Sequence, residues 1–199
     1  MAFLNFKNTL VSNNLIFYSL LLTGCLYFMS PGREIKSQTL DGTELSEQQV
    51  KAAYLYNFAK FVEWPDSAFS SDTDPIQIAI IGDDPFGIIL DQIIKNKTLN
   101  GRPLLINRFQ SMPSDLHFHI VFIGNNDTTQ VRSILQQLDS LPVLTVGDMK
   151  DFATKGGCIN FIFKQNRVLF EINMDASQRA GLKISSRLLR LAILVEEKL

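Results

Sequence analysis

The chain has 199 residues, of which 46% are hydrophobic, and its 19 basic and 20 acidic side chains nearly cancel. This length and composition predict one folded domain with one core. The near-neutral charge provides no electrostatic basis for binding nucleic acid, so that class of partner is excluded.

The first 30 residues have the pattern of an export signal. Lys7 lies on the amino side of an uncharged, almost entirely apolar run at residues 15–29. Such a run is at the upper end for a signal-peptide core and is shorter than the roughly 20 residues of a membrane span. We therefore interpret residues 1–30 as a signal peptide or lipoprotein signal, which predicts a periplasmic protein.

Three outcomes after export remain open. Leu22-Thr23-Gly24-Cys25 resembles the lipobox at which bacterial lipoproteins are cut and lipidated, which makes Cys25 a candidate lipidation site. The apolar run continues beyond Cys25, however, and Ser30-Pro31-Gly32 offers a small-x-small cleavage site downstream. The third outcome is an uncleaved anchor. The domain reaches the same compartment in each case.

Residues 31–44 are polar and without periodicity, which is typical of a tether, and residues 45–199 are predicted to form the single domain. Its first helix begins near Ser46, because Ser46 and Gln49 have the spacing of a capping box. Trp64-Pro65 is expected to end this helix, since proline disfavours helical geometry at the residue before it.

The rest of the domain alternates strands and helices. Strands are predicted at residues 76–81, 102–109, 118–124, 142–146, 158–163 and 168–172, and helices at residues 87–94, 127–138, 148–155 and 186–198. Continuous apolar strands that lead into glycine turns and helices indicate a parallel sheet covered on both faces. The last two strands form a hairpin, which makes the sheet mixed. The predicted fold is a three-layer α/β/α sandwich with a Rossmann- or flavodoxin-like mixed sheet, ending in a β-hairpin and a helix.

Ligands of such folds bind at the carboxyl ends of the parallel strands. The candidate ligand-binding residues there are Gly82, Asp83, Phe86, Gly87, Gly147 and Asp148. The loop at residues 82–87 lacks the glycine spacing of a dinucleotide site and the lysine of a P-loop, so no cofactor is predicted. Asp84, which precedes Pro85, is better explained as a helix cap than as part of a small-ligand or partner site.

Other groupings of reactive side chains are weaker. Asp83, Asp127 and Asp148 are placed where they could share a cation, but capping alone explains aspartate at two of these positions. His117 and His119 have the spacing of zinc ligands on a strand, without an identifiable third ligand, and are expected to be solvated. Ser185 has no paired base and is expected to cap the last helix. The sequence therefore predicts no metal site, no catalytic residues and no enzyme.

The last predicted helix is apolar around most of its circumference, wider than the roughly 100° stripe that packing on one side requires. Either the helix is deeply buried, or it also contacts a second copy of the chain or a membrane partner. The candidate partner-binding residues are Glu171, Arg187, Leu188, Arg190 and Leu191. The two arginines, three residues apart, are expected to pair with Glu171 or with a carboxylate of the partner.

Three segments together resemble the YfiR family of periplasmic regulators: VKAAYLYNFAKFVEWP at residues 50–65, IAIIGDDPFG at residues 78–87, and residues 144–192, which include GGCINFIFKQNRVLFEIN and ISSRLLRLA. The resemblance implies a non-enzymatic protein that binds the periplasmic sensor portion of an inner-membrane diguanylate cyclase and holds it inactive. It also implies release by an envelope signal or a small-molecule ligand. Disulfides are common in that family, whereas Cys158 stands alone once Cys25 is lipidated or removed. Cys158 is therefore expected to be buried and inert.

The sequence is compared with the requirements of two other functions. A periplasmic small-molecule receptor that works with a transport or sensor system is the alternative, and a cyclase gene beside this one would argue against it. Hydrolysis of a nucleotide requires a convergent acid, base and ion, which these residues do not supply.

The export signal yields the first prediction. If Cys25 is lipidated, Cys25→Ser should release the protein from the membrane fraction, because the lipid raises its concentration at the bilayer without any new protein contact. Fractionation of both forms, with mass spectrometry of the mature amino terminus, measures this. A wild-type protein that is soluble and begins near Arg33 rules out the lipoprotein, and a cytoplasmic protein that retains Met1 contradicts export altogether.

Overall fold

The computed structural model describes residues 46–114, 117–124 and 127–198. The export signal, Cys25 and the whole of the tether lie outside these residues. The helices are α1 (Glu47–Phe61), α2 (Ile88–Ile94), α3 (Thr128–Leu138), α4 (Met174–Arg179) and α5 (Ser186–Leu189), with single 3-10 turns at Asp66–Ala68 and Ala153–Lys155. The strands are β1 (Val62–Glu63), β2 (Ile76–Gly82), β3 (Thr98–Leu99), β4 (Arg102–Phe109), β5 (Ile120–Gly124), β6 (Leu144–Gly147), β7 (Ile159–Lys164), β8 (Arg167–Asn173), β9 (Lys183–Ile184) and β10 (Ile193–Val195).

Eight of these strands form one mixed sheet in the order β10-β8-β7-β6-β5-β2-β4-β3. The five strands from β7 to β4 run parallel, whereas β8 is antiparallel to β7 and β3 is antiparallel to β4. Numbered along the chain, the parallel strands lie in the flavodoxin-like order. The predicted α/β fold with a mixed sheet is confirmed.

Each central strand contributes to two cores, because successive side chains point to opposite faces of the sheet. In β2, Ile78 and Ile80 face one cluster of buried residues, and Ala79 and Ile81 face the other. Side chains of α1, α2 and α5 belong to the first cluster. The second cluster includes the buried face of α3, together with Phe152. The helices therefore form an outer layer on each side of the sheet.

The start of α1 is as predicted, and its end is not. The Ser46 hydroxyl accepts a hydrogen bond from the amide of Gln49 at 3.2 Å, and the Gln49 side chain accepts one from the amide of Ser46 at 2.8 Å. The helix ends at Phe61, before Trp64, because Val62–Glu63 pairs with β9 in a separate two-stranded sheet. The Trp64 indole then donates to the carbonyl of His119 at 3.1 Å, which fixes the chain as it leaves the helix.

The predicted helix over residues 186–198 is wrong. Ser185 caps α5 as expected, but α5 ends at Leu189, and Ile193–Val195 lies parallel to β8 with Ile193 opposite Glu171. A short isolated helix is marginal, whereas an aliphatic, partly β-branched segment beside a strand edge gains ladder hydrogen bonds. The hairpin of β7 and β8 is confirmed, with Gln165 and Asn166 both at positive φ in its two-residue turn.

This change of structure separates two leucines that the helical interpretation had grouped together. Leu188 is 2% exposed in the first cluster, and Leu191 is 66% exposed. Leu188→Ala should therefore lower the free energy of unfolding by about 2–5 kcal/mol, because it leaves a cavity. Leu191→Ala should change it by no more than about 0.5 kcal/mol. Chemical denaturation of the two variants measures the difference, and equal losses would contradict the assignment of β10.

Candidate functional site

The carboxyl ends of β2, β5 and β6 converge at one edge of the sheet. Gly82 pairs with Gly124 in the register of β2 and β5, and the amide of Asp83 donates to the carbonyl of Gly124 at 2.7 Å. A cleft of about 280 Å³ lies here, lined by Asp83, Asp84, Pro85, Gly124 and Asp148. The three loops therefore converge as predicted, at the point where the strand order reverses.

The two glycines in this cleft have different structural roles. Gly82 has φ of +81°, a conformation that a residue with a side chain rarely adopts. A methyl group on Gly124 would overlap the carbonyl oxygen of Asp83, so the two loops approach too closely for any side chain at that position. The chain after β2 is thus held against the end of β5 by backbone contacts.

Asp84 is held by its own neighbourhood. Its carboxylate accepts hydrogen bonds from the amides of Phe86 and Gly87 at 2.7 and 3.1 Å, which are the contacts expected of a helix cap. The N-cap residue of α2, however, is Gly87 and not Asp84. It also forms an ion pair with Arg108, whose Nε lies 2.7 Å away. Arg108 binds Asp91 as well, at 2.6 Å. The hydrogen bond to Asp91, followed by the contacts with Asp84, raises the pKa of Arg108 above its ordinary value despite partial burial.

Two candidate ligand-binding residues are not available to a ligand. Phe86 is buried, with its ring edge-on to Phe122 at a centroid distance of 4.7 Å. Gly147 is also buried, and a methyl group on it would come within 2.7 Å of the Phe152 ring. Both residues therefore serve packing, through their contacts with the rings of Phe122 and Phe152. Gly82, Asp83, Gly87 and Asp148 remain as candidates.

Sequence reasoning missed Lys51, a buried cation beside this cleft. Its ammonium group lies 2.6 Å from Glu47 and 3.2 Å from Asp148, and the residue is only 8% exposed. Burial would lower the pKa of Lys51, but the bonds and charges of Glu47 and Asp148 outweigh this effect and raise it. The pair at positions i and i+4 was visible in the sequence. Only the fold brings Asp148 to the same lysine.

The histidines and aspartates do not form a shared site. His119 is buried, which contradicts the prediction that it is solvated: its Nδ1 accepts a hydrogen bond from the amide of Gln77 at 3.1 Å, and its ring stacks on Phe69. Burial lowers the pKa of His119. His117 is exposed. Asp127 caps α3 through the amide of Thr129. In the parts of the chain that the structure describes, no group of three His, Cys, Asp or Glu side chains is arranged to hold a metal ion.

The single cysteine of the described domain is buried. Cys158 is free, and its amide donates to the Thr145 hydroxyl at 2.9 Å. Burial raises the pKa of its thiol, which disfavours the reactive thiolate. The expected burial of Cys158 is confirmed.

A second concavity lies at the opposite ends of the strands. It has a volume of about 310 Å³ and is lined mainly by apolar groups of Ser67, Ala68, His117, Phe118, Leu141, Pro142 and Val143. Its walls come from three connecting segments, none of which has a motif. This concavity was not predicted, because it lies away from the carboxyl ends of the strands, where ligands of such folds bind.

The candidate partner residues are divided by the fold. Arg187, Arg190 and Leu191 are exposed, whereas Leu188 is part of the core. Among the described residues, Glu171 forms no ion pair with either arginine; its carboxylate accepts a hydrogen bond from the side-chain amide of Asn160 at 3.0 Å. Exposed apolar side chains instead continue along β10, with Ile193 at 44% and Leu194 at 58%. Six large apolar side chains are exposed in the described chain, and three of them, Leu191, Ile193 and Leu194, lie within residues 191–194.

A family model described as YfiR/HmsC-like matches residues 48–193. The chain belongs to this family. The YfiR/HmsC-like match includes both the carboxyl-end cleft and most of the exposed C-terminal segment. Membership implies a regulatory rather than a catalytic protein, in the context of cyclic di-GMP signalling and a periplasmic location.

Comparison of this YfiR/HmsC-like domain with solved structures gives a distant likeness. A conserved domain protein from Vibrio cholerae O1 biovar El Tor strain N16961 is 11% identical, with a TM-score of 0.48 over 78% of this chain. The alignment spans 62% of that protein's length. No curated protein matches the chain. Among the described residues, no helix has the length and hydropathy needed to cross a membrane.

The strained turn at the cleft gives a testable prediction. Gly82→Val should lower the free energy of unfolding by about 2–3 kcal/mol, because a β-branched residue is strongly disfavoured at positive φ. Gly82→Asn is the matched variant and should lose only about 1 kcal/mol, since asparagine tolerates left-handed geometry better. Equilibrium denaturation separates the two, and a stable Val variant would mean that the turn has another conformation.

Proposed function

We propose that this protein binds the periplasmic sensor portion of an inner-membrane diguanylate cyclase and holds the cyclase inactive. The observation that carries the proposal is the family match, which extends over nearly the whole described domain, residues 48–193. The polar groups of the carboxyl-end cleft support a binding role, because Asp84 and Asp148 are engaged with Arg108 and Lys51. Side chains neutralised in this way position loops and have no free acid–base partner.

The contact with the cyclase is proposed at the exposed side of α5 and the turn that follows it. Arg187, Arg190 and Leu191 are the candidate residues that the fold leaves on the surface. A large apolar side chain next to two cations fits a partner surface that has an apolar pocket and carboxylates at its rim. Burial of Leu191 would supply most of the affinity, because exposed ion pairs contribute little.

Release of the cyclase requires a signal that binds the two states of the repressor with different affinity. The cleft near Gly82, Asp83, Gly87 and Asp148 is the proposed place for a small polar ligand. Such a ligand would compete with Lys51 for Asp148, or with the amide of Asp83 for Gly124, and so shift the loops after β2 and β6. A ligand at this edge of the sheet would act through Asp148 and Lys51 on α1, which contacts α5.

Leu191→Glu tests the contact. The variant should fold normally, and it should bind the cyclase at least about tenfold more weakly, because a charge is forced into an apolar contact. Cyclic di-GMP in the producing cell should rise to the level seen when the repressor gene is deleted. Co-purification with the cyclase from solubilised membranes and nucleotide measurement by mass spectrometry provide the two readouts.

Ile88→Glu is the matched control. Ile88 is 70% exposed on α2, which lies between β2 and β3 in the chain, and these strands belong to the other half of the sheet. This variant should repress as the wild type does. Unchanged cyclase binding by folded Leu191→Glu would reject the proposed surface, whereas a cyclic di-GMP level that does not respond to deletion of the gene would reject the proposed function itself.

A further inference from the structure

One buried histidine anchors the segment that follows β1, residues 64–69. The carbonyl of His119 accepts a hydrogen bond from the Trp64 indole at 3.1 Å, and the imidazole ring stacks on Phe69 at a centroid distance of 4.4 Å. The Trp64 ring lies edge-on to the same imidazole at 6.0 Å. Both ends of the segment are therefore held by His119, which directly precedes β5 in the chain.

The hydrogen bonds of the ring determine where it carries its proton. Nδ1 of His119 accepts a hydrogen bond from the backbone amide of Gln77 at 3.1 Å, so the neutral ring has its hydrogen on Nε2. A second proton can be added only at Nδ1, and it would then face the N–H of Gln77. Protonation therefore breaks this bond and replaces an attraction with the repulsion of two donors.

The surroundings of the ring do not stabilise a positive charge. His119 is 6% exposed, and its Nε2 atom forms no hydrogen bond among the described residues. Two charged groups act on the ring: Arg102, whose guanidinium lies over the Phe69 ring at 3.8 Å, opposes a positive charge, and Asp74 favours it. Burial outweighs Asp74 and the nearby carbonyl of Ala68, and so lowers the pKa of His119.

We propose that His119 is a pH-sensitive latch whose neutral ring holds residues 64–69 against the sheet and whose protonation releases them. Ser67 and Ala68 of this segment line the concavity of about 310 Å³, so release opens its apolar lining to solvent. This response to acid goes beyond the proposed contact with a cyclase and does not depend on it.

The direction of the pH effect follows from the two states of the latch. In the released state the ring meets water and has its ordinary pKa of about 6.5, whereas the pKa is lower in the closed state. As the pH falls, the released state therefore binds the proton first. The closed segment has its full stability above about pH 6.5, and below it the equilibrium constant for release rises by up to about tenfold for each pH unit.

Amide hydrogen exchange of the purified full-length protein between about pH 7.5 and about pH 5 measures this equilibrium. After correction for the pH dependence of exchange in an unfolded chain, protection of residues 64–69 and of the Gln77 amide should fall by up to about tenfold per pH unit below about pH 6.5. Protection of β8 should remain higher at every pH, because release of the segment is local and does not require the domain to unfold.

His119→Asn is the matched variant, because the amide oxygen of asparagine can take the place of Nδ1 as an acceptor and does not titrate. Loss of the ring lowers the protection of the segment at every pH, but this protection should no longer fall below about pH 6.5. His117→Asn is the control. It removes the other of the two histidines, which is exposed, and should leave the wild-type pH dependence unchanged.

Nitrogen chemical shifts of the histidine rings in the wild-type protein give a second test, which does not require a variant to fold. At about pH 7.5 the His119 ring should be neutral with its hydrogen on Nε2. A hydrogen on Nδ1, protection of residues 64–69 that is constant down to about pH 5, the same pH dependence in folded His119→Asn, or equal protection of β8 and the segment would each overturn the proposal. None of these measurements involves a cyclase, so failure of the latch is distinguishable from failure of the proposed function.

Discussion

The burial of β2 and β5 on both faces is the constraint on which the other features of this domain depend. Each strand contributes alternate side chains to two cores, so the sheet requires helices on both sides. The first core is built around packed aromatic rings. The ring of Phe58 in α1 stacks on that of Phe161 in β7 at a centroid distance of 5.5 Å and lies edge-on to that of Phe170 in β8 at 5.2 Å. This contact joins the start of the domain to its hairpin, and it fixes α1 where Lys51 can reach Asp148.

The carboxyl-end cleft follows from the same constraint. The carboxyl ends of neighbouring parallel strands lie at the same edge of the sheet, so the loops that follow them pack closely together. Gly82 and Gly124 allow the backbones to meet there, and Arg108 and Lys51 neutralise carboxylates that are drawn away from water. The site is therefore organised by internal pairing.

The C-terminal segment illustrates how a neighbouring element selects between two conformations. Residues 186–198 are apolar enough to suggest a buried helix, yet the open edge of β8 captures Ile193–Val195 as a strand. The chain turns after Leu189, and this places Leu188 in the core while Leu191 and Leu194 remain at the surface. The large number of apolar residues in this segment does correspond to apolar surface that the fold leaves exposed. Their conformation depended on the edge of β8, which lies 22 residues earlier in the chain.

Local patterns determined a large part of this fold. Alternation between apolar runs and glycine turns gave the strands at residues 102–109 and 76–81, and the caps at Ser46, Asp127 and Ser185 are contacts between near neighbours that need no tertiary information. Tertiary structure decided the burial of His119 and Phe86, the pairing of Lys51 with Asp148, and the strand at the C-terminus. These features depend on groups that are far apart in the chain, and a residue's local sequence does not specify which distant backbone edge, ring or carboxylate the fold will bring beside it.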